Sequence, residues 1–128
     1  MPDKEKKKKV ILTKEMIQSV KLKEKEVHVE EWGGIVLLRE MDGVRRDVFD
    51  ERVQKNTTIG KDGEPSVNMK GMKVAMVALC VVDADGKQMF TEDEMNKASG
   101  TVIENLFLEC QELNGIGDTA EGEMRGNS

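Results

Sequence analysis

The sequence predicts an α+β domain, an N-terminal antiparallel β-hairpin packed against three to four C-terminal helices, with flexible termini. Three observations predict it. Polar and apolar residues alternate strictly over Glu26-Val27-His28-Val29-Glu30, the period of a half-buried strand. After Gly43 the apolar residues Val44, Val48, Phe49 and Val53 recur at helical spacing instead. The length, 128 residues, suits one domain with a real but modest core.

Along the chain, Thr13 is placed to cap a short helix carrying Met16, Ile17 and Val20 on one stripe. The alternating strand is followed by Trp32-Gly33-Gly34 and the apolar run Ile35-Val36-Leu37-Leu38. Paired glycines supply the positive φ angles of a tight hairpin turn, so two strands over 26–40 are expected to pair there. Val27 and Val29 then share one face, and His28, the chain's single histidine, lies on the opposite, polar face. Asp42 can cap the next helix, near 43–55, whose valines and Phe49 face the core while Arg45, Arg46, Asp47, Asp50, Glu51 and Arg52 cover its other side. The stretch from Asn56 to Gly71 is dense in turn formers and has no period. It reads as a structureless connection, mobile or functional, and strong amide-exchange protection throughout it would contradict that expectation.

Met72 to Val82 is almost wholly apolar, and its length predicts a buried helix near 71–82. Asp83 to Lys87 reads as a turn and Gln88-Met89-Phe90 as a short extended piece. Thr91 and Glu94 have capping-box spacing for a helix to about Lys97. Ser99 caps the final helix, near 99–114, whose Val102, Ile103, Leu106, Phe107, Cys110 and Leu113 form one stripe, and Asn114-Gly115 stops it. The organisation expected is therefore a basic flexible arm over 1–24, a single domain over 25–116 and a disordered acidic tail over 117–128.

Composition narrows the function. Tyr is absent, Phe occurs three times and Trp once, against nine Met. That balance argues against base-stacking nucleic-acid modules and against the aromatic belt of a membrane protein. No apolar run exceeds the nine residues from Val74 to Val82, well short of the roughly 20 a membrane span needs, so a soluble protein is expected. Cys80 and Cys110 lack a CxxC spacing and read as buried free thiols, in keeping with a reducing compartment. The net charge of −5 is uneven: residues 1–25 hold nine Lys against four acids, leaving the rest at −10. Such an arm either holds phosphates or an acidic surface, or is simply a solvated terminus.

No constellation points to catalysis, a cofactor or a metal. Asp83, Asp85, Gly86 and Glu94 suggest a calcium loop, but positions five and six of that twelve-residue pattern would be Lys87 and Gln88. The single His has no Cys or second His nearby, and the chain carries no GxSxG, HExxH or phosphate-binding loop. A protein built to contact other proteins is the better reading. Met69, Met72 and Met76 share helical spacing, and Met side chains either fill cores or repack against varied apolar partners. A Met72→Glu change separates the two, since a core residue would unfold the protein and a surface one would lose only binding.

Taken in order, Glu26-Val27-His28-Val29-Glu30-Glu31-Trp32-Gly33-Gly34 through Arg39-Glu40, Gly43, Arg46-Asp47 and Phe49 resembles the opening of tail assembly chaperones of long-tailed, lambda-like bacteriophages. The apolar helix, Asp83-Ala84-Asp85-Gly86 turn, Phe90-Thr91, long helix and Leu113-Asn114-Gly115 resemble that family's second half. The likeness spans about 24–116 and omits arm and tail; Glu30 stands where the family commonly has Pro. The resemblance implies a non-enzymatic factor that binds the tape measure protein and recruits tail tube protein. It implies action in the host cytoplasm, absence from the mature virion, and self-association into rings or helical arrays. Expected partner-binding residues are Met69, Met72, Met76, Trp32, Arg45 and Arg46. Two other readings are a structural tail or connector subunit and a small nucleic-acid-binding regulator; membrane and nucleic acid are not expected partners.

Overall fold

The computed structural model describes residues 9–116; the first part of the basic arm and the expected tail over 117–128 lie outside them. Within that range the architecture is α+β. A short helix α1 (Lys14–Gln18) precedes strand β1 (Glu24–Val29), a 3₁₀ turn (Glu30–Trp32) and strand β2 (Gly34–Arg39). Helix α2 (Gly43–Lys55), strands β3 (Thr57–Ile59) and β4 (Pro65–Val67), and helix α3 (Met72–Cys80) follow. Strand β5 (Val81–Val82) and helices α4 (Glu92–Met95) and α5 (Gly100–Leu113) complete it.

β1 and β2 form the expected antiparallel hairpin, with Val27 opposite Val36 and Val29 opposite Gly34. The turn differs from the expected one. Residues 30–33 bridge the strands as a single 3₁₀ turn closed by Gly33 at φ 72°, whose N–H donates to the Glu30 carbonyl at 3.0 Å. Gly34 already belongs to β2 and is not in the left-handed region. Because a Cβ at either glycine would meet nothing within 4 Å, only backbone conformation distinguishes them. Gly33→Ala should lower stability by about 1 kcal/mol while Gly34→Ala stays near neutral, a contrast that paired urea melts would measure.

The helix expected over 71–82 ends at Cys80, and its last two valines leave it to pair with β2, Val81 opposite Leu38 and Val82 opposite Leu37. The sheet order is therefore β1-β2-β5. β-branched Val81 and Val82 suit a pleated surface better than a helix end, and as strand residues they fill the third place in the sheet. Gln88 bridges Val82, and the Met89 N–H donates to the Val81 carbonyl at 3.3 Å. The extended piece expected at 88–90 thus leans on β5.

The connection 56–71 is not structureless. β3 pairs β4 antiparallel, with Thr57 opposite Val67 and Ile59 opposite Pro65, and Gly63 at φ 81° turns the chain. Asn56 clamps its base: its side-chain amide donates to the carbonyls of Asn68 at 2.7 Å and Lys70 at 3.0 Å. Strands of three residues are too short to show a hydropathy period, so the backbone pairing left no trace in the pattern.

The core sits between the inner sheet face and the helices. α3 is its centre, buried from Ala75 through Cys80, and packs against α2, α4 and α5. A helix apolar on nearly every side is stable only when surrounded in this way. α5 lays its expected stripe, Val102 to Leu113, against α3 and the hairpin. It ends in a Schellman motif: the Ile116 N–H donates to the Gln111 carbonyl at 2.8 Å, Gly115 adopts φ 72°, and Ile116 is buried. Over the last turns of α5 Lys25 pairs with Glu109 and, at 3.0 Å, with Glu112, tying β1 to α5. The hydrogen bonds it donates to these carboxylates raise the Lys25 pKa. α4 has both arms of the expected capping box, Glu94 N–H to Thr91 Oγ1 at 3.1 Å and Thr91 N–H to Glu94 Oε1 at 2.9 Å.

Candidate protein-docking surfaces

The residues expected to bind partners are not brought together. Met72 and Met76 are 0% exposed and lie among Phe49, Leu106 and Phe107 in the core cluster. They fill the interior, which corrects their assignment to a docking face. Met69 stands apart from them, in the loop before α3, partly buried against the core, its carbonyl accepting from the Met72 N–H at 3.0 Å. The remaining residues, Trp32, Arg45 and Arg46, are on two different surfaces.

The first surface is a groove of about 730 Å³ between α2 and α3. Its floor is Phe49, Ala75, Ala78 and Leu79, and its wall carries Val44 and Val48, which are 74% and 49% exposed. These valines were expected in the core. The α2 stripe is wider than the face α3 can cover: Phe49 is buried and Val53 partly so, and the other two valines are left facing water. Charge frames the groove. Asp42 caps α2, its Oδ1 accepting from the Arg45 N–H at 2.9 Å, and its Oδ2 holds the Arg45 guanidinium at 3.2 Å. Arg52 forms an ion pair with Glu92, joining α2 to α4 across the far end. Gly71, at φ 78°, leaves the space into which the Arg52 guanidinium fits. Arg45 thus lines the groove, whereas Arg46 is outside it, in the expected i,i+4 pair with Asp50 at 3.4 Å. The outward side of the Val44–Val48 ridge is acidic, with Asp47, Asp50 and Glu51.

The second surface is the outer face of the sheet, a depression of about 600 Å³ holding Trp32, Ile35, Leu37, Met89 and Phe90. Ile35 is 63% exposed and Trp32 41%. Register explains it: Ile35 and Leu37 oppose His28 and Glu26, so they point away from the face that carries Val27, Val29 and Leu38. His28 is exposed there, as its strand position implies. The Asp83 turn borders this face. Asp83 Oδ1 accepts from the N–H groups of Lys87 at 3.0 Å and Asp85 at 2.8 Å, which hold its carboxyl below its ordinary range. The residues that suggested a calcium loop are thereby a side-chain-stapled turn. Its stabilising contribution is present above the unfolded carboxyl pKa and is lost as pH falls through the depressed folded one.

Among the described residues no buried side-chain nitrogen or oxygen lacks a hydrogen-bond partner. The thiols are buried as expected. Cys110 hydrogen-bonds Cys80 and is shut off from water, and both effects hold its pKa above the ordinary thiol range. Asn114 locks this corner, donating to Cys80 Sγ at 3.4 Å and accepting from the Met41 N–H at 2.8 Å. The same contact lowers the Cys80 pKa, so enclosure is what protects the pair: both residues are 0% exposed and a reagent reaches them only when the chain opens. A disulfide reagent should therefore label neither cysteine in the native protein and both in denaturant, and fast native labelling would contradict this arrangement.

The structure is similar to that of the bacteriophage HK97 tail assembly chaperone, with a TM-score of 0.54, 22% sequence identity, and coverage of 81% of this chain and 95% of that one. At that identity the two share a fold. No family model matches the sequence, and no curated protein matches it either.

Proposed function

We propose that this protein is a phage tail assembly chaperone: it binds the tape measure protein and recruits tail tube subunits in the host cytoplasm without remaining in the virion. The observation that carries the reading is the pairing of a tail-chaperone fold with an open apolar groove between α2 and α3. A coat for a long amphipathic partner needs a shallow apolar seat of modest affinity, repeated along the partner's length. The Val44–Val48 ridge over Phe49 and Leu79 supplies such a seat. Charged residues of both signs at its rim, Arg45, Arg52, Lys55, Glu51 and Glu92, favour register over tightness. The surface also lacks Tyr and presents a single Trp, so it is poor in the anchors that make interfaces permanent.

Co-expression with the tape measure and tail tube proteins of the same phage, followed by affinity capture of this chain, tests the reading. Capture of the tape measure protein, and of tube protein only in its presence, is the expected result. Mass spectrometry of purified virions separates a chaperone from a structural subunit, because stoichiometric amounts of this chain in particles would overturn the proposal.

A further inference from the structure

The arm before β1 carries an apolar segment that is largely uncovered. Ile11, Ile17 and Val20 are more than half exposed, Met16 nearly so, and no residue of α1 is buried. α1 is nonetheless a formed helical turn, capped by Thr13, whose Oγ1 accepts from the Met16 N–H at 3.2 Å. A capped helix with a stripe facing water wants a surface to lie on. From the geometry we infer that this arm is a strap that closes over the outer face of its own sheet, seating Met16 and Ile17 in the depression formed by Trp32, Ile35, Leu37 and Met89.

Reach, charge and connectivity agree on that seat. The chain is fixed at Lys23, whose N–H donates to Glu40 Oε2 at 2.7 Å and whose carbonyl accepts from the Glu40 N–H at 2.9 Å. Val20 lies three residues before Lys23, within about 10 Å of chain. Leu37 lies three residues before Glu40 on β2, again about 10 Å along the strand. The strap is therefore long enough to come back over the depression. By strand alternation Leu22 shares the outward parity of Glu24 and Glu26, which turns the chain toward that face. The depression is lined by the carboxylates Glu26 and Asp83, and the cation at its edge, the Arg39 guanidinium beside Gly86, is paired with Glu24 at 2.6 Å, while residues 9–23 carry four Lys against one Glu. A tether this short raises the local concentration of the strap to about the millimolar range, so its own sheet outcompetes a second copy at ordinary protein concentrations.

Trp32 reports the closure directly, because it is the only Trp and Tyr is absent. The full-length chain is compared with its Met16→Ser, Ile17→Ser double variant by acrylamide quenching of Trp32 emission. Both residues are exposed in the open arm, and far-UV circular dichroism verifies equal folding. Closure predicts about two- to threefold weaker quenching in the unmodified chain, as for a strap shut in most molecules. The difference should be constant between about 1 and 100 μM protein, as an intramolecular contact requires. Equal quenching in the two chains would overturn the inference. Protection that grows with concentration would overturn it as well, by assigning the depression to the arm of another copy.

Discussion

Met76→Glu abolishes the folded state, whereas Met69→Glu leaves it standing. Met76 is fully enclosed in the middle of α3, against α2, α4 and α5. Removing a buried side chain of this size costs about 2–5 kcal/mol, and an unpaired carboxylate in its place adds a desolvation penalty of several kcal/mol more. Against a total stability of roughly 5–15 kcal/mol, the sum leaves little or no native protein. Met72, equally enclosed, behaves the same way. Met69 is only partly covered, in a loop, and its replacement costs about 1 kcal/mol. Thermal melts followed by circular dichroism check the contrast; a cooperative Met76→Glu transition close to that of the unmodified protein would refute the placement of α3.

Replacing both Val44 and Val48 with Asp spares folding and removes the proposed tape-measure seat. Val44 is largely and Val48 half in water, so their loss from the folded state costs about 1 kcal/mol. In a complex they would be the ridge that enters the partner. Losing such a pair from the centre of an interface typically costs 2 kcal/mol or more, about 30-fold in affinity. The measurement is a binding titration of the double variant against tape measure protein, with the melting curve as the control for folding. Undiminished binding would remove this groove from the proposed function, and Phe49→Ala offers no substitute test because Phe49 is buried beneath the ridge.

The elements legible in the sequence are those with a local chemical cause. Asp42, Thr91 and Ser99 each cap the helix expected of them, and Asn114-Gly115 ends α5. Alternation in β1 assigns Val27, Val29 and His28 to the correct faces. β3 and β4 escaped because strands of three residues are too short to show a side-chain period. β5 escaped because two valines at the end of an apolar helix look the same whether they continue it or join a sheet. Only the free side of β2, supplied by residues far away in sequence, distinguishes the two.

The same division separates fold from docking surface. The helix caps, the hairpin strands and the stripe of α5 are readable from the chain because each depends on residues close together in it, and the lack of aromatic anchors is a matter of composition. Tertiary structure alone decided which apolar residues are left for a partner. Periodicity states which side chains share a face and says nothing of whether another element arrives to cover it. α3 is surrounded, so its Met residues are core; α2 is covered along one edge only, so Val44 and Val48, with the same apolar signal, face water.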